Sequence, residues 1–324
     1  MQYRSLGRTG LQVSLAALGT GGPSQLGQSS GLVPSQQTEL VRKALDLGIN
    51  LFDTSVLYGH SEEILGRALA GIPRDSYILS TKWGHATTWS PQGMGLKDGE
   101  IEKDPQALAR SVEQSLQRLK TDSIDIMNFH GLRPDQYSLV VDRFAPVMKR
   151  LQEQGKIRFI GMTERFIADP THETAAMAIR TDPDLWDTVM LKYGILNQVA
   201  RKEVFPLALK NNIGVINMAA VRIKLPDPTL LQELMSQWKQ RGLIPHDSLP
   251  DMNPLDWLIH NEVTSVIHAG YRFAADHPAV STVLTGTANV DHLLQNTQAL
   301  DAPPLPESDK QRLVDLFCEI AEYA

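Results

Sequence analysis

The chain has 324 residues, 42% of them hydrophobic and 21% charged, with a formal net charge of −6. That length admits one large α/β domain or two small ones with a sizeable core, and the negative balance offers no basic field for nucleic acid or an anionic membrane. No run approaches a membrane span, residues 1–10 lack the apolar stretch of a secretion signal, and the lone Cys318 excludes an intrachain disulfide, so the expectation is a cytoplasmic protein.

Strand-like and helix-like segments alternate along the chain. An opening pair at residues 2–6 and 11–14 brackets Gly7-Arg8-Thr9-Gly10 and predicts a hairpin. The run LAALG follows, then a helix over 36–47 stopped by Gly48, a strand over 49–52, and a helix over 62–70 with Ser61 as its expected N-cap. After the strand 77–81 and a loop rich in Gly, Trp and Pro, Asp104-Pro105 opens a helix whose stripe is Leu108, Val112, Leu116 and Leu119. IDIMNF, KIRFIGM, DTVMLKY and IGVINM then alternate with helices near 139–154, 172–180 and 201–210. Residues 222–254, rich in proline and carrying Trp238, form a long excursion expected to lie over the mouth of the fold. STVLTG is the last strand, a helix near 290–300 follows it, and the tail 306–324 predicts an added helix with Leu313, Leu316, Phe317 and Ile320 inward.

Counting from LAALG gives eight strands, mostly continuous apolar or β-branched runs, the pattern of strands buried on both faces. Repeated strand–helix units of this number predict a (β/α)8 TIM barrel, with an N-terminal β-hairpin and an additional C-terminal helix, as one domain over 1–324.

Two glycine-rich segments fail as phosphate motifs. In Gly19-Thr20-Gly21-Gly22-Pro23-Ser24, serine stands for the third glycine of a dinucleotide fingerprint. In Gly22-x4-Gly27-Gln28-Ser29, Gln28 occupies the place of a P-loop lysine. No histidine lies at zinc-ligand spacing, and no metal site is expected.

Asp53, Tyr58, Lys82 and His130 each fall at or just past the C-terminal end of a predicted strand, the barrel face that carries chemistry. Singly each has a plainer reading: a turn aspartate, a packed aromatic, a solvated lysine, a loop histidine. Together, from three consecutive strand–helix units, they make a proton-donating centre. A carbonyl that accepts hydride needs a proton on its oxygen. A free tyrosine is a poor acid at neutral pH, but an ammonium about 4 Å away at an effective dielectric near 20 is worth roughly 4 kcal/mol, about three pKa units. On this reading Lys82 lowers the pKa of Tyr58, Asp53 keeps Lys82 charged, and His130 holds the oxygen or relays the proton.

LFDTSVLYG-SEEILGRAL, then STKWG, then IDIMNFH, resembles the aldo-keto reductases, and the likeness extends from about Arg4 to Leu300. The resemblance implies an NAD(P)-dependent barrel oxidoreductase acting on a small carbonyl or alcohol, with Tyr58 as general acid/base and Asp53, Lys82 and His130 completing a tetrad. It implies nicotinamide contacts at Thr163, Glu164, Tyr193 and Met218, and adenosine-phosphate contacts at Gly286, Thr287, His292 and Asn296. The departures from the family pattern matter. Thr163-Glu164 replaces Ser-Asn, Met190 replaces a glutamine, Met218 replaces the stacking tyrosine, and Gly286 and His292 replace two cations. Loss of both cations at the 2′-phosphate favours NAD(H) or dual use over NADP(H). The branch most resembled contains L-galactose and aldose 1-dehydrogenases, which implies a sugar or another small polar carbonyl as substrate, with Trp83, His85 and Trp89 as rim candidates. Two other readings stay open at this point: a nicotinamide-binding redox sensor with little turnover, and a Schiff-base barrel using Lys82.

Overall fold

The computed structural model describes residues 1–85 and 101–321. The chain opens with an antiparallel hairpin of β1 (Tyr3–Ser5) and β2 (Gln12–Ser14). It continues through β3 (Ala16–Gly19), α1 (Pro34–Asp46), β4 (Leu51–Asp53), α2 (Ser61–Ala68), β5 (Ile78–Trp83), α3 (Gln106–Leu119), β6 (Ile124–Leu132) and α4 (Tyr137–Glu153). The second half runs β7 (Ile157–Glu164), α5 (Glu173–Thr181), β8 (Thr188–Lys192), α6 (Val204–Lys210), β9 (Gly214–Met218), α7 (Pro228–Gln240) and α8 (Val266–Asp276). It ends with β10 (Val280–Thr285), α9 (Val290–Asp301) and α10 (Glu307–Phe317).

Strands β3 to β10 pair in chain order, each parallel to its neighbour, and β10 returns to pair with β3. The result is the expected (β/α)8 barrel, with the hairpin lying outside the closed sheet. Every residue of β5 and of β8 is buried, the reason those strands read as unbroken apolar runs. Alternate residues point in and out. Ala17, Leu51, Ile78, Ile126, Met190 and Ile216 fill the barrel together with Leu6 and Val13 of the hairpin segment. The larger apolar layer lies outside, between strands and helices.

The hairpin covers the end where strands begin. Arg8 N donates to Asn212 O at 2.6 Å, just before β9, and Asn50, just before β4, exchanges hydrogen bonds with Ser14. The opposite end is left for the site.

Three local expectations change. Ser61 is the first residue of α2 rather than its cap, and its Oγ donates to Thr20 O at 3.2 Å. The excursion 222–254 contains α7, whose start Asp227 caps by accepting from Thr229 N and Leu230 N. Helix α8, unread in the sequence, holds Gly270, where an added Cβ would sit 2.4 Å from Leu225 Cδ2. Trp238 of α7 packs against Phe317 of α10 with ring centroids 5.7 Å apart, which seats the C-terminal helix as expected.

Candidate active site

At the C-terminal rim, Asp53 ends β4, Lys82 lies near the end of β5 and His130 near the end of β6, all on inward-facing positions. Tyr58 comes from the loop between β4 and α2. These four residues line one cavity of about 750 Å³, a size ordinary for small-molecule and cofactor sites.

Lys82 is 1% exposed. Its Nζ donates to Asp53 Oδ2 at 2.5 Å and to Thr54 O at 2.7 Å, and lies 4.8 Å from the centre of the Tyr58 ring. Asp53 Oδ1 accepts from Ser80 Oγ at 2.8 Å, and Ser80 accepts in turn from Asn128 Nδ2 at 3.0 Å. Burial works against the Lys82 ammonium, yet Asp53, Tyr58 and the hydrogen bonds together hold its pKa above the ordinary lysine value. Burial raises the Asp53 carboxyl, with Lys82 opposing. The proton of this pair resides on Lys82.

The Tyr58 oxygen lies 3.5 Å from His130 Nε2, with the rings edge to face at 86°. Burial, helped by the Asp53 charge, pushes the Tyr58 phenol upward by more than Lys82 and Arg222 draw it down. The expected lowering of its pKa is therefore corrected: the phenol keeps its proton at neutral pH, and Lys82 is placed to stabilise the anion once the proton leaves. Burial, then Lys82 and His85, holds the His130 pKa well below the ordinary value, so this imidazole is neutral. Ser55 Oγ accepts from Leu57 N at 3.2 Å and sits 3.1 Å from His130 Nδ1. That contact ties Nδ1 to Ser55 and turns Nε2 toward the phenol and the cavity. A protonated phenol and a neutral imidazole thus meet at one side of the cavity, with a cation against the phenol ring.

The remaining predicted residues divide. Thr163, Met218 and Gly286 line the cavity, and Met190 lies with them. Thr163 Oγ1 accepts from Gly131 N at 2.8 Å, which leaves its own hydrogen to donate. Glu164 borders the cavity, but its carboxylate is fully buried behind β7, held at 2.7 Å by His172 Nδ1 and at 3.1 Å by Lys192 N. Tyr193 lies outside the barrel wall, stacked on Phe273 and set edge-on to Phe205, with Arg201 donating to its hydroxyl. Trp83 likewise faces outward, 4.5 Å from the Phe144 ring centre. His85 is buried against Gln136, its Nε2 3.0 Å from Oε1. Thr287 bonds to Asn289, whose side chain caps α9 through Asp291 N and His292 N, leaving His292 exposed and Asn296 half-buried one turn later. None of Tyr193, Trp83, His85, Thr287, His292 and Asn296 is among the residues that line the cavity. Trp89 lies outside the described residues.

Sequence reasoning passed over Arg165 and Phe166 after β7, Tyr271 of α8, and the approach of Gly21 and Gly22 after β3, all of which line the cavity. Arg222, at the start of the excursion, is there too, its Nη1 3.7 Å from where a Cβ on Gly22 would lie. Among the described residues no cluster of histidine, cysteine and acidic side chains forms a metal site, and no helix is long and apolar enough to cross a membrane.

The family model described as "Aldo/keto reductase family" matches residues 17–316. The chain belongs to the aldo/keto reductase family. The family is one of oxidoreductases that use nicotinamide cofactors on small carbonyl compounds. This aldo/keto reductase is 27% identical over 311 residues to the L-galactose dehydrogenase of Arabidopsis thaliana, covering 93% of this chain and 88% of that protein. It is 31% identical over 226 residues to the NADH-specific methylglyoxal reductase of Escherichia coli, 66% of each chain. Among solved structures, the holo form of the aldo-keto reductase AKR11C1 from Bacillus halodurans superposes with a TM-score of 0.71 at 25% identity, over 98% of this chain and 96% of that one.

Proposed function

We propose that this aldo/keto reductase transfers hydride between NAD(P)(H) and a small polar carbonyl or alcohol, an aldose or a comparable aldehyde or ketone, with Tyr58 as the general acid/base. The observation that carries this reading is the Lys82–Asp53 pair beneath the Tyr58 ring, with His130 Nε2 3.5 Å from the phenol oxygen.

The cavity fits a nicotinamide dinucleotide. Thr163 has a hydrogen to donate to a carboxamide, Met190 and Met218 offer an apolar floor, and Gly286 borders the same cavity without a side chain. Thr163 alone of the Thr163-Glu164 pair would meet the carboxamide, because the Glu164 carboxylate is occupied by His172. Arg165 and Arg222 would face the diphosphate. When bound, the nicotinamide gives or accepts the hydride. Tyr58 hands its proton to the carbonyl oxygen, Lys82 stabilises the phenolate left behind, and Asp53 keeps Lys82 charged and aimed. Neutral His130, with Nε2 beside the phenol oxygen, is placed to hydrogen-bond at the same point. In the oxidative direction the steps reverse and Tyr58 must first lose its proton, so alkaline pH favours alcohol oxidation. NAD(H) or dual use is favoured by Gly286 and His292, which bring no strong cation to the 2′-position, and by the likeness to an NADH-specific reductase.

Tyr58→Phe is expected to cut turnover of methylglyoxal with NADH, and of L-galactose with NAD, by about 10²- to 10⁴-fold. NADH binding, read by tryptophan fluorescence, is expected to stay within a few-fold of wild type and to be tighter than that of NADPH. Undiminished turnover overturns the acid assignment. Tighter NADPH moves the cofactor to NADP(H), with Arg165 or Arg222 as partner of the 2′-phosphate.

A further inference from the structure

Tyr58 is the one member of the tetrad outside a barrel strand. The barrel fixes Asp53, Lys82 and His130, but the phenol is placed only as well as its loop is held. The residue that holds it lies in the segment between β3 and α1. Gln28 Nε2 donates to Tyr58 O at 3.1 Å, to Ser61 Oγ at 3.0 Å and to Gln25 O at 2.8 Å, its two hydrogens shared among three acceptors. Its Oε1 accepts from His60 N at 2.8 Å. One amide thus spans the tyrosine, the two residues after Gly59 and its own loop.

Two glycines make room for this clasp. Gly59 has φ +59°, and a Cβ there would lie 2.6 Å from Gln28 Oε1. Gly21 lets the β3 loop press on the phenol: a Cβ there would lie 2.7 Å from the ring carbon that bears the hydroxyl. Within the same loop Gln25, Leu26 and Gly27 all have positive φ, at 44°, 53° and 82°, a run that non-glycine residues keep only where their surroundings impose it. Leu26 is 0% exposed and Gln28 bonds back to Gln25, so the loop is anchored on both sides of its unusual turn.

We propose that Gln28 is a positioning residue for catalysis, which fixes the Tyr58 phenol over Lys82 and beside His130 by clamping the backbone of the tyrosine loop. The proposal rests on the reading of Tyr58 as general acid/base. A displacement near 1 Å at a reacting group costs on the order of 10²-fold in rate. Gln28 therefore contributes to turnover without touching substrate or cofactor.

Gln28→Glu separates this role from mere size, because it keeps the acceptor facing His60 N and replaces the donor that holds Tyr58, Ser61 and Gln25. Wild type, Gln28→Glu and Tyr58→Phe are compared in two readouts. The first is turnover of methylglyoxal with NADH, where Gln28→Glu is expected to lower kcat on the order of 10²-fold with KM and the NADH Kd within a few-fold. The second is the tyrosinate absorbance titration, with the Tyr58→Phe trace subtracted to isolate Tyr58. Burial raises this phenol above its ordinary value of 10.0, so loosening the loop is expected to move its titration back down toward that value. A folded Gln28→Glu enzyme with unchanged kcat and an unchanged Tyr58 titration overturns the proposal, even if its unfolding temperature falls. Normal turnover in Tyr58→Phe instead overturns the assignment beneath it, and the two failures are told apart by which variant stays active.

Discussion

Gly161 shows how far the site depends on one absent side chain. It faces into the barrel from β7, and a Cβ there would lie 2.3 Å from both Asn128 Oδ1 and Thr188 Oγ1. Both oxygens are buried and neither has a hydrogen-bond partner among the described residues, and at that distance an added Cβ forces one of them to move. Asn128 leads through Ser80 to Asp53 and Lys82, and a push on its side chain travels along that chain of hydrogen bonds. Gly161→Ala is expected to cost about 1–3 kcal/mol in urea unfolding through overpacking, and to lower turnover below the transition as well. A stable, fully active variant would mean that Asn128 yields without moving Ser80. At this scale the sequence was informative for residue type and less so for direction. Asp53, Tyr58, Lys82 and His130 were legible because their chemistry and their strand-end positions agree. Trp83 and Tyr193 face away from the cavity and the Glu164 carboxylate turns from it for one shared reason: each directly follows an inward residue (Lys82, Thr163, Lys192), and the next side chain along a strand points the other way.

The elements around β7 show what that outward direction achieves. Glu164 leaves the cavity to meet His172, just before α5, and His172 Nε2 lies 3.0 Å from Asn197 Oδ1 in the segment after β8. One buried pair therefore joins β7, α5 and the β8 segment behind the loop that carries Arg165 and Phe166. Burial opposes the His172 charge, but Glu164, the hydrogen bonds and Asp169 hold its pKa above the ordinary 6.5. Burial raises Glu164 as well. Both groups keep protons more tightly folded than unfolded, so the stability from His172 is whole below pH 6.5 and is lost as pH rises through its raised folded value. The wild-type unfolding free energy is expected to fall more steeply above pH 6.5 than that of the double variant Glu164→Gln/His172→Gln, by up to about 1.4 kcal/mol per pH unit, the value of one proton. Equal slopes in urea titrations at several pH values would remove the pair from the pH response. Helices α7 and α8 were the elements the sequence hid. Proline-rich flanks disguised α7, and Gly270 in α8 serves close packing on Leu225 rather than ending a helix.

Across the whole molecule, chemistry and closure occupy opposite ends of the barrel, the division of labour usual for this architecture. The alternation of strands and helices was legible because most residues of β3 to β10 are buried; what the pattern left open was how the far end is sealed. Leu6 seals it. It is 0% exposed and packs with Val13, Ala17, Leu51, Ile78, Ile126, Met190 and Ile216, so a hairpin residue completes the packing inside the barrel. Gly7 then turns away with φ +50°, and a Cβ there would lie 2.2 Å from Gly214 N, which presses the turn against the start of β9. Leu6→Ala removes buried methyl groups where the closed sheet has little freedom to collapse, and is expected to cost about 2–5 kcal/mol in urea unfolding. Because Leu6 belongs to the opposite end from Tyr58, Lys82 and His130, kcat and NADH affinity measured below the transition are expected to match wild type. A Leu6→Ala enzyme with intact stability would mean that the hairpin merely covers the barrel. Lost turnover in a folded Leu6→Ala enzyme would mean that the inner layers, from Ile78 to Ser80 to Lys82 along β5, carry a disturbance from one end to the other.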